Sequence, residues 1–431
     1  MKGLRAKVVG KQIPKGKVKV SGAKNSATRL LAASMISDGV VQLNNFPVAL
    51  VDANHKLNFL RKQGAQVHVD QDKEVIRIDH SGLKNTLLED YNYPIRTTYL
   101  LVPGLIKKSG VAYIPYPGGC KIGNRGYDLH IMVWEEMGAQ VIEHNDYIEV
   151  DARKGLKGGV IDFPITTIGG TESALICGAI AQGKTIVKNA YISPEVNDLI
   201  SFLRLMGVQI KTVGKSYIEI EGRNQHLGVN YQVLPDRIEA LTWLVFGAIS
   251  GGEIVVEDVP FDVMQIPLKH IKEAGVDFYR NAKNIIISPD CLQTGAIQPF
   301  ELATGTHPGV ISDMQPFYVL LGLYAAGKSR IYDYRYPERI KYCDELAKLY
   351  GEAIQSSKGE IITSGVAHPK ETELELESTD LRGSMAVLMA AILTEGTTII
   401  NNVEMALRGY NKLSEKLEKL GINISLFEDE N

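Results

Sequence analysis

Apolar positions recur along this chain in two alternating helical styles. The first is amphipathic: apolar residues at helical spacing on one face, charge on the other, then a glycine and a short alternating strand. Its copies cover residues 57–67, 133–141, 202–210, 271–278, 346–354 and 417–424. Their glycines, Gly64, Gly138, Gly207, Gly275, Gly351 and Gly421, lie 68–76 residues apart, so six units of similar length are expected. The second style is apolar nearly all round and precedes another glycine and a β-rich strand, over residues 26–36, 171–181, 238–249, 313–326 and 382–393. A helix of that kind is buried on most sides, whereas the first kind keeps a solvated face. Each unit therefore supplies an inner helix, an outer helix and strands, which makes the fold class α/β.

At 431 residues the chain exceeds one ordinary core and calls for two domains. Its hydrophobic fraction of 45% and charged fraction of 23% are those of a soluble globular protein. A net charge of −3, with no dominating basic run, argues against nucleic acid as a partner. The N-terminal residues interleave charge with apolar side chains and form no secretory h-region. The longest apolar runs, 317–326 and 386–393, fall short of the roughly 20 residues that span a bilayer. Four scattered cysteines fit a reducing cytoplasm, and none pairs at C-x-x-C spacing, so neither a metal site nor a cofactor is expected.

Polar residues gather where helices begin: Lys24-Asn25, Gly169-Gly170-Thr171, Asp236-Arg237, Asp313 and Asp380-Leu381-Arg382. A charge at one helix start is ordinarily only solvated, but several unpaired N–H sets with arginines among them suit a phosphorylated ligand held without metal. The segment 117–130 adds reactive chemistry. Its four glycines and a proline surround Cys120, and Lys121 and Arg125 lower the cost of a thiolate or a bound anion. Cys177 lies in an apolar run, Cys343 by a helical pattern and Cys291 in a turn, so these three read as structural.

Taken jointly and in order, six motifs resemble the enolpyruvyl transferases over essentially the whole chain, and among them the branch whose acceptor is UDP-N-acetylglucosamine. They are Ser21-Gly22-Ala23-Lys24-Asn25, Pro117-Gly118-Gly119-Cys120 with Arg125, Leu234-Pro235-Asp236-Arg237, Ser312-Asp313-Met314-Gln315, Thr379-Asp380-Leu381-Arg382 and Arg408-Gly409-Tyr410. The resemblance implies a two-domain inside-out α/β barrel of six βαβαββ repeats closing over a cleft. One domain would hold residues 22–232 and the other 1–21 with 233–431. It implies enolpyruvyl transfer from phosphoenolpyruvate to the sugar 3-hydroxyl, at the first committed step of peptidoglycan precursor synthesis, by a cytoplasmic monomer.

Residue by residue, Cys120 matches the loop cysteine that acts as general acid and is alkylated by fosfomycin. Lys24, Arg125 and Arg408 match positions that grip phosphoenolpyruvate, and Arg96, Arg382 and Arg339 match further arginines of the anion site. Asn25 and Asp313 match sugar-binding residues, Asp313 being the base on the 3-hydroxyl. Asp128, Leu129, His130, Thr167, Ile168 and Gly169, with Arg125 and Tyr127, align with the uridine side. From the residues alone, Asp313 reads equally as a helix cap, and Asp380 reads as one. The chain departs from its relatives at Arg125-Gly126-Tyr127-Asp128 and around residues 335–339. Another uridine nucleotide as acceptor, and a binding protein without turnover, are the alternatives.

Overall fold

The computed structural model describes residues 3–84, 96–116, 127–365 and 373–428. The expectations on Cys120 and Arg125 lie outside the described residues. Among the described residues the chain divides into two compact units. One holds residues up to Ser21 and from Pro235 onward, the other Gly22 to Leu234.

Each unit contains three sheets, and five of the six have four strands among the described residues. The recurring pattern places the strand before the inner helix parallel to the strand after it, with the last two strands antiparallel. In the repeat containing Ile168–Ile180, for example, Val160–Thr167 pairs parallel with Lys184–Ala190, which then pairs antiparallel with Tyr217–Glu221. Such a parallel pair needs a crossover, and the inner helix is that crossover.

Three strands are borrowed along the chain. Lys15–Lys19 pairs parallel with Glu253–Glu257, more than 200 residues later, and Asn230–Gln232 pairs parallel with Val41–Asn44. Leu4–Val9 inserts between Thr397–Asn401 and Ile424–Glu428, antiparallel to both.

The six outer helices are Val51–Lys62, Asp128–Glu136, Pro194–Leu205, Gln265–Glu273, Lys341–Tyr350 and Leu413–Lys419. The glycines closing these helices have φ between 61° and 97°, a left-handed conformation that stops the helix at little steric cost. The inner helices are buried almost throughout: every residue of Arg237–Ser250 but the last is buried. Asp236 starts that helix, its Oδ1 accepting from Ile238 N at 2.8 Å and Glu239 N at 3.2 Å.

A sixth inner helix, Val102–Ser109, escapes the sequence pattern. It is short, follows a 3-10 turn Arg96–Leu101 and carries Pro103-Gly104 in its first turn. The glycine is required by packing, since a side chain there would collide with Met35. Each unit has its own hydrophobic core, one around Trp134 and the other around Trp243. No helix among the described residues is long and apolar enough to cross a membrane.

Candidate functional site

The chemistry-bearing residues form two sets, one in each unit, and Lys24, Asn25, Asp313 and Arg382 among them sit at or just before the starts of inner helices. In the unit beginning at Gly22, Lys24 and Asn25 are the first two residues of the helix Lys24–Ser34. Lys24 Nζ meets Asp52 Oδ2 at 2.9 Å, with both side chains largely withdrawn from solvent. Asp52 lies in the first turn of Val51–Lys62, and one helical turn further Lys56 is fully buried, donating to Thr28 O at 2.7 Å. Burial pushes the Lys56 ammonium well below its ordinary pKa, and the positive Arg29 pushes the same way, while Glu172 and Asp52 oppose.

Arg29 continues the network. Its Nε meets Glu172 Oε1 at 2.7 Å and its Nη1 reaches Asn25 Oδ1 at 3.2 Å. Glu172 stands in the otherwise apolar inner helix Ile168–Ile180, where burial raises its pKa against the pull of Arg29 and Lys56. At the start of that helix Thr167 is the N-cap and accepts from Gly170 N at 3.2 Å. His130 is buried and its Nδ1 lies 3.2 Å from Ser173 Oγ. Gly169 permits this approach, because a Cβ there would stand 2.8 Å from His130 Nε2.

Tyr127 is the N-cap residue of Asp128–Glu136, with Asp128 exposed and Leu129 partly buried behind it. Its phenol donates to Glu143 Oε2 at 2.8 Å, and that bond, with burial adding to it, pushes the Tyr127 phenol up to about 12. Tyr116 donates to the same carboxylate at 3.2 Å. Tyr99 stacks obliquely between Tyr127 and His130, at centroid distances of 5.6 and 5.0 Å.

In the other unit the centre is Asp313, whose side chain is 30% exposed. Arg339 Nη1 donates to its Oδ1 at 2.6 Å and Arg382 Nε approaches its Oδ2 at 3.7 Å. Arg339 also holds Asp380 Oδ1 through Nη2 at 2.9 Å. Arg382 donates to Gly409 O at 3.1 Å, faces Asp236 Oδ2 at 3.7 Å and lies over the Tyr410 ring at 5.1 Å. Burial works against the charge on Arg339, but Asp380 and Asp313 more than restore it. Two buried guanidiniums thus face one partly exposed carboxylate.

A match to the family described as EPSP synthase (3-phosphoshikimate 1-carboxyvinyltransferase) covers residues 9–417. The chain belongs to the enolpyruvyl transferases. This member is 34% identical over 427 residues to the UDP-N-acetylglucosamine 1-carboxyvinyltransferase of Beijerinckia indica, spanning 97% of each chain. It is 34% identical over 418 residues to UDP-N-acetylglucosamine 1-carboxyvinyltransferase 1 of Carboxydothermus hydrogenoformans, again over 97% of each. Among solved structures, the enolpyruvyl transferase NikO from Streptomyces tendae superposes with a TM-score of 0.88 at 25% identity, covering 99% of this chain and 100% of that one. An EPSP synthase from Acinetobacter baumannii has a TM-score of 0.75 at 20% identity over 99% and 100%, a likeness of fold.

Within this enolpyruvyl transferase the expected residues fall as follows. Arg339 and Arg382 both face Asp313, and Lys24 and Asn25 are adjacent. Arg408 follows the short helix Glu404–Leu407, with Nη1 3.9 Å from Met405 Sδ. Arg96 opens the 3-10 turn before the short inner helix. Asp313 lies in the 3-10 turn Ser312–Met314, one residue before Met314, the N-cap of Gln315–Leu323, and no side chain caps that helix. Met314 rather than Asp313 thus holds the N-cap position, and the oxygens of Asp313 face Arg339 and Arg382. Asp380 does cap, accepting from Arg382 N at 3.1 Å and Gly383 N at 3.3 Å.

Sequence reasoning missed Asp52, Arg29, Glu172 and Lys56. Glu172 carried a signal, being an acid inside an apolar run, and a buried acid needs a cation. Asp52 carried none, because an acid in a first helical turn is ordinary.

Proposed function

We propose that this protein transfers the enolpyruvyl group of phosphoenolpyruvate to the 3-hydroxyl of UDP-N-acetylglucosamine and releases phosphate. The observation that carries the reading is Asp313, an accessible carboxylate gripped by two buried arginines at the start of an inner helix. Oriented by both guanidiniums, it is placed to take a hydroxyl proton. The activity named for the relatives supports the choice of substrates.

In this reading the Cys120 thiol protonates C3 of phosphoenolpyruvate, C2 gains cationic character, and the sugar 3-oxygen attacks C2 as Asp313 removes its proton. A proton is then lost from C3 as the C2–O bond to phosphate breaks, which restores the vinyl ether. Lys24, Arg125 and Arg408 hold the phosphoenolpyruvate anion, and Arg96 and Arg382 contribute to the anion site. Asn25 faces the acceptor sugar, and Tyr127, Asp128, Leu129, His130, Thr167, Ile168 and Gly169 line the uridine side. Arg339, expected to grip phosphoenolpyruvate, already spends its donors on Asp313 and Asp380, so we assign it to orienting the base. The reaction opens peptidoglycan precursor synthesis, and the protein acts as a cytoplasmic monomer divided near residues 22 and 233.

One observation favours a second reading. Tyr127, its phenol tied to Glu143, stands where relatives of this branch carry a small apolar residue, and a bulkier group there changes which nucleotide fits. Phosphate release with phosphoenolpyruvate and UDP-N-acetylglucosamine, run beside UMP and UDP-glucose, separates the two. Release with UDP-N-acetylglucosamine and a product heavier by one enolpyruvyl group supports the first reading. Release with another acceptor alone keeps the chemistry and replaces the substrate, and release with none removes both.

A further inference from the structure

The network behind Asn25 fixes which end of its amide meets the ligand. A guanidinium carries N–H donors and no acceptor, so the amide atom 3.2 Å from Arg29 Nη1 is the oxygen, whichever way an isolated asparagine would turn. Arg29 is not free to choose. Its Nε is bound at 2.7 Å by Glu172, whose side chain is 1% exposed and rigid within the helix Ile168–Ile180. Arg29 Nη1 also lies 3.3 Å from Thr28 Oγ1, which adds a second restraint on the guanidinium plane. Lys56, fully buried, donates to Thr28 O at 2.7 Å, which fixes the backbone next to Arg29. Turning the Asn25 amide over would place two N–H donors against a cation. Among the described residues none accepts from Asn25 Nδ2, so both of its N–H donors are left for a ligand.

We infer that Arg29 is a positioning residue, locked by Glu172, which takes the amide oxygen of Asn25 and so turns its Nδ2 donors toward the acceptor substrate. The site then recognises an acceptor oxygen, a hydroxyl or carbonyl, at this point and disfavours a group that can only donate. This rests on the reading that Asn25 faces the acceptor.

The test uses the full-length protein and phosphate release, varying each substrate in turn. Arg29→Met raises the acceptor KM about tenfold, the weight of one well-placed hydrogen bond, and leaves the phosphoenolpyruvate KM within about twofold. In an Asn25→Ala background the same substitution adds less than about twofold, because Arg29 acts through Asn25. Equal losses in both backgrounds, or both KM values moving together, overturn the inference. Where Arg29→Met does not fold, Glu172→Gln gives the same comparison, since it keeps the shape and removes the charge that holds Arg29. If no acceptor supports turnover in the wild-type protein, the proposed function fails, and the inference is decided by nitrogen-15 spectra. The Asn25 side-chain amide signal, identified by its loss in Asn25→Ala, shifts in the Arg29 variant if Arg29 binds its oxygen and stays in place if it does not.

Discussion

His80 follows the strand Val75–Asp79 and is 1% exposed, and its ring contact offers a quantitative test of the packing in the unit that carries Lys24. Ser34 Oγ donates to Leu31 O at 2.7 Å, so toward His80 Nε2, 2.9 Å away, it acts as acceptor. His80 is therefore neutral with its proton on Nε2, and its buried Nδ1 has no partner among the described residues. Protonating Nδ1 would bury a cation with an unmatched N–H. Burial, with the charge of Lys108 adding to it, pushes the imidazole from 6.5 down to about 4.

Between those values the unfolded chain binds the proton and the folded one does not. The contribution is thus fully present above pH 6.5, declines as pH falls and levels off below about 4. At pH 4.5 the loss comes to about 2.5 kcal/mol, using about 1.4 kcal/mol per pKa unit and the two proton affinities. The chain has two tryptophans, Trp134 in this unit and Trp243 in the other, so a Trp243→Phe background reports this unit alone. In that background urea unfolding is followed by Trp134 emission at pH 7.5 and 4.5, with and without His80→Gln, which does not titrate. His80 should lose about 2.5 kcal/mol more than the glutamine variant on acidification. Equal losses within about 0.5 kcal/mol would refute the argument, because every other titrating group is common to both.

Cys120→Ser leaves folding intact and abolishes or severely slows turnover, and an unchanged rate removes Cys120 from the mechanism. Burial raises the thiols of Cys177 and Cys343, the latter to about 12, and Cys291 is buried, so fosfomycin should alkylate Cys120 alone, as peptide mass spectrometry would show. Asp313→Asn lowers kcat by roughly 10²- to 10⁴-fold while Arg339 keeps its contact with Asp380, and a fall under tenfold argues against its role as base. Arg339→Met strands the buried Asp380 carboxylate and costs about 3–5 kcal/mol of stability, read from Trp243 emission in urea; a cost under about 1 kcal/mol contradicts the pairing described.

The repeat was legible because each outer helix ends at a glycine with positive φ, a constraint that leaves the same mark in the sequence each time. The short inner helix Val102–Ser109 was not, because Gly104 answers to packing against Met35 and, with Pro103, breaks the apolar run. Within the site, Lys24, Asn25, Asp313 and Arg382 announce themselves by standing at helix starts beside glycines or acids. Their partners do not, since Asp52 and Arg29 acquire meaning only when distant helices bring them within 3 Å or so of Lys24 and Glu172. Asp313 shows the limit from the other side: its spacing suits a cap, and only the arrival of Arg339 from 26 residues away decides the matter.

The borrowed strands have a consequence for how the chain is made. Leu4–Val9 is translated nearly 400 residues before its partners Thr397–Asn401 and Ile424–Glu428. At about 5–20 residues per second that is a wait of roughly 20–80 s. During it the unit from Gly22 to Leu234 receives all its own strands, while these two leading segments remain unmatched. An unmatched strand is a template for the wrong neighbour, and lysines are the usual deterrent. Lys7, Lys15, Lys17 and Lys19 stand on the exposed positions of Leu4–Val9 and Lys15–Lys19, so the segments left longest without partners are also those that repel one another on crowded polysomes.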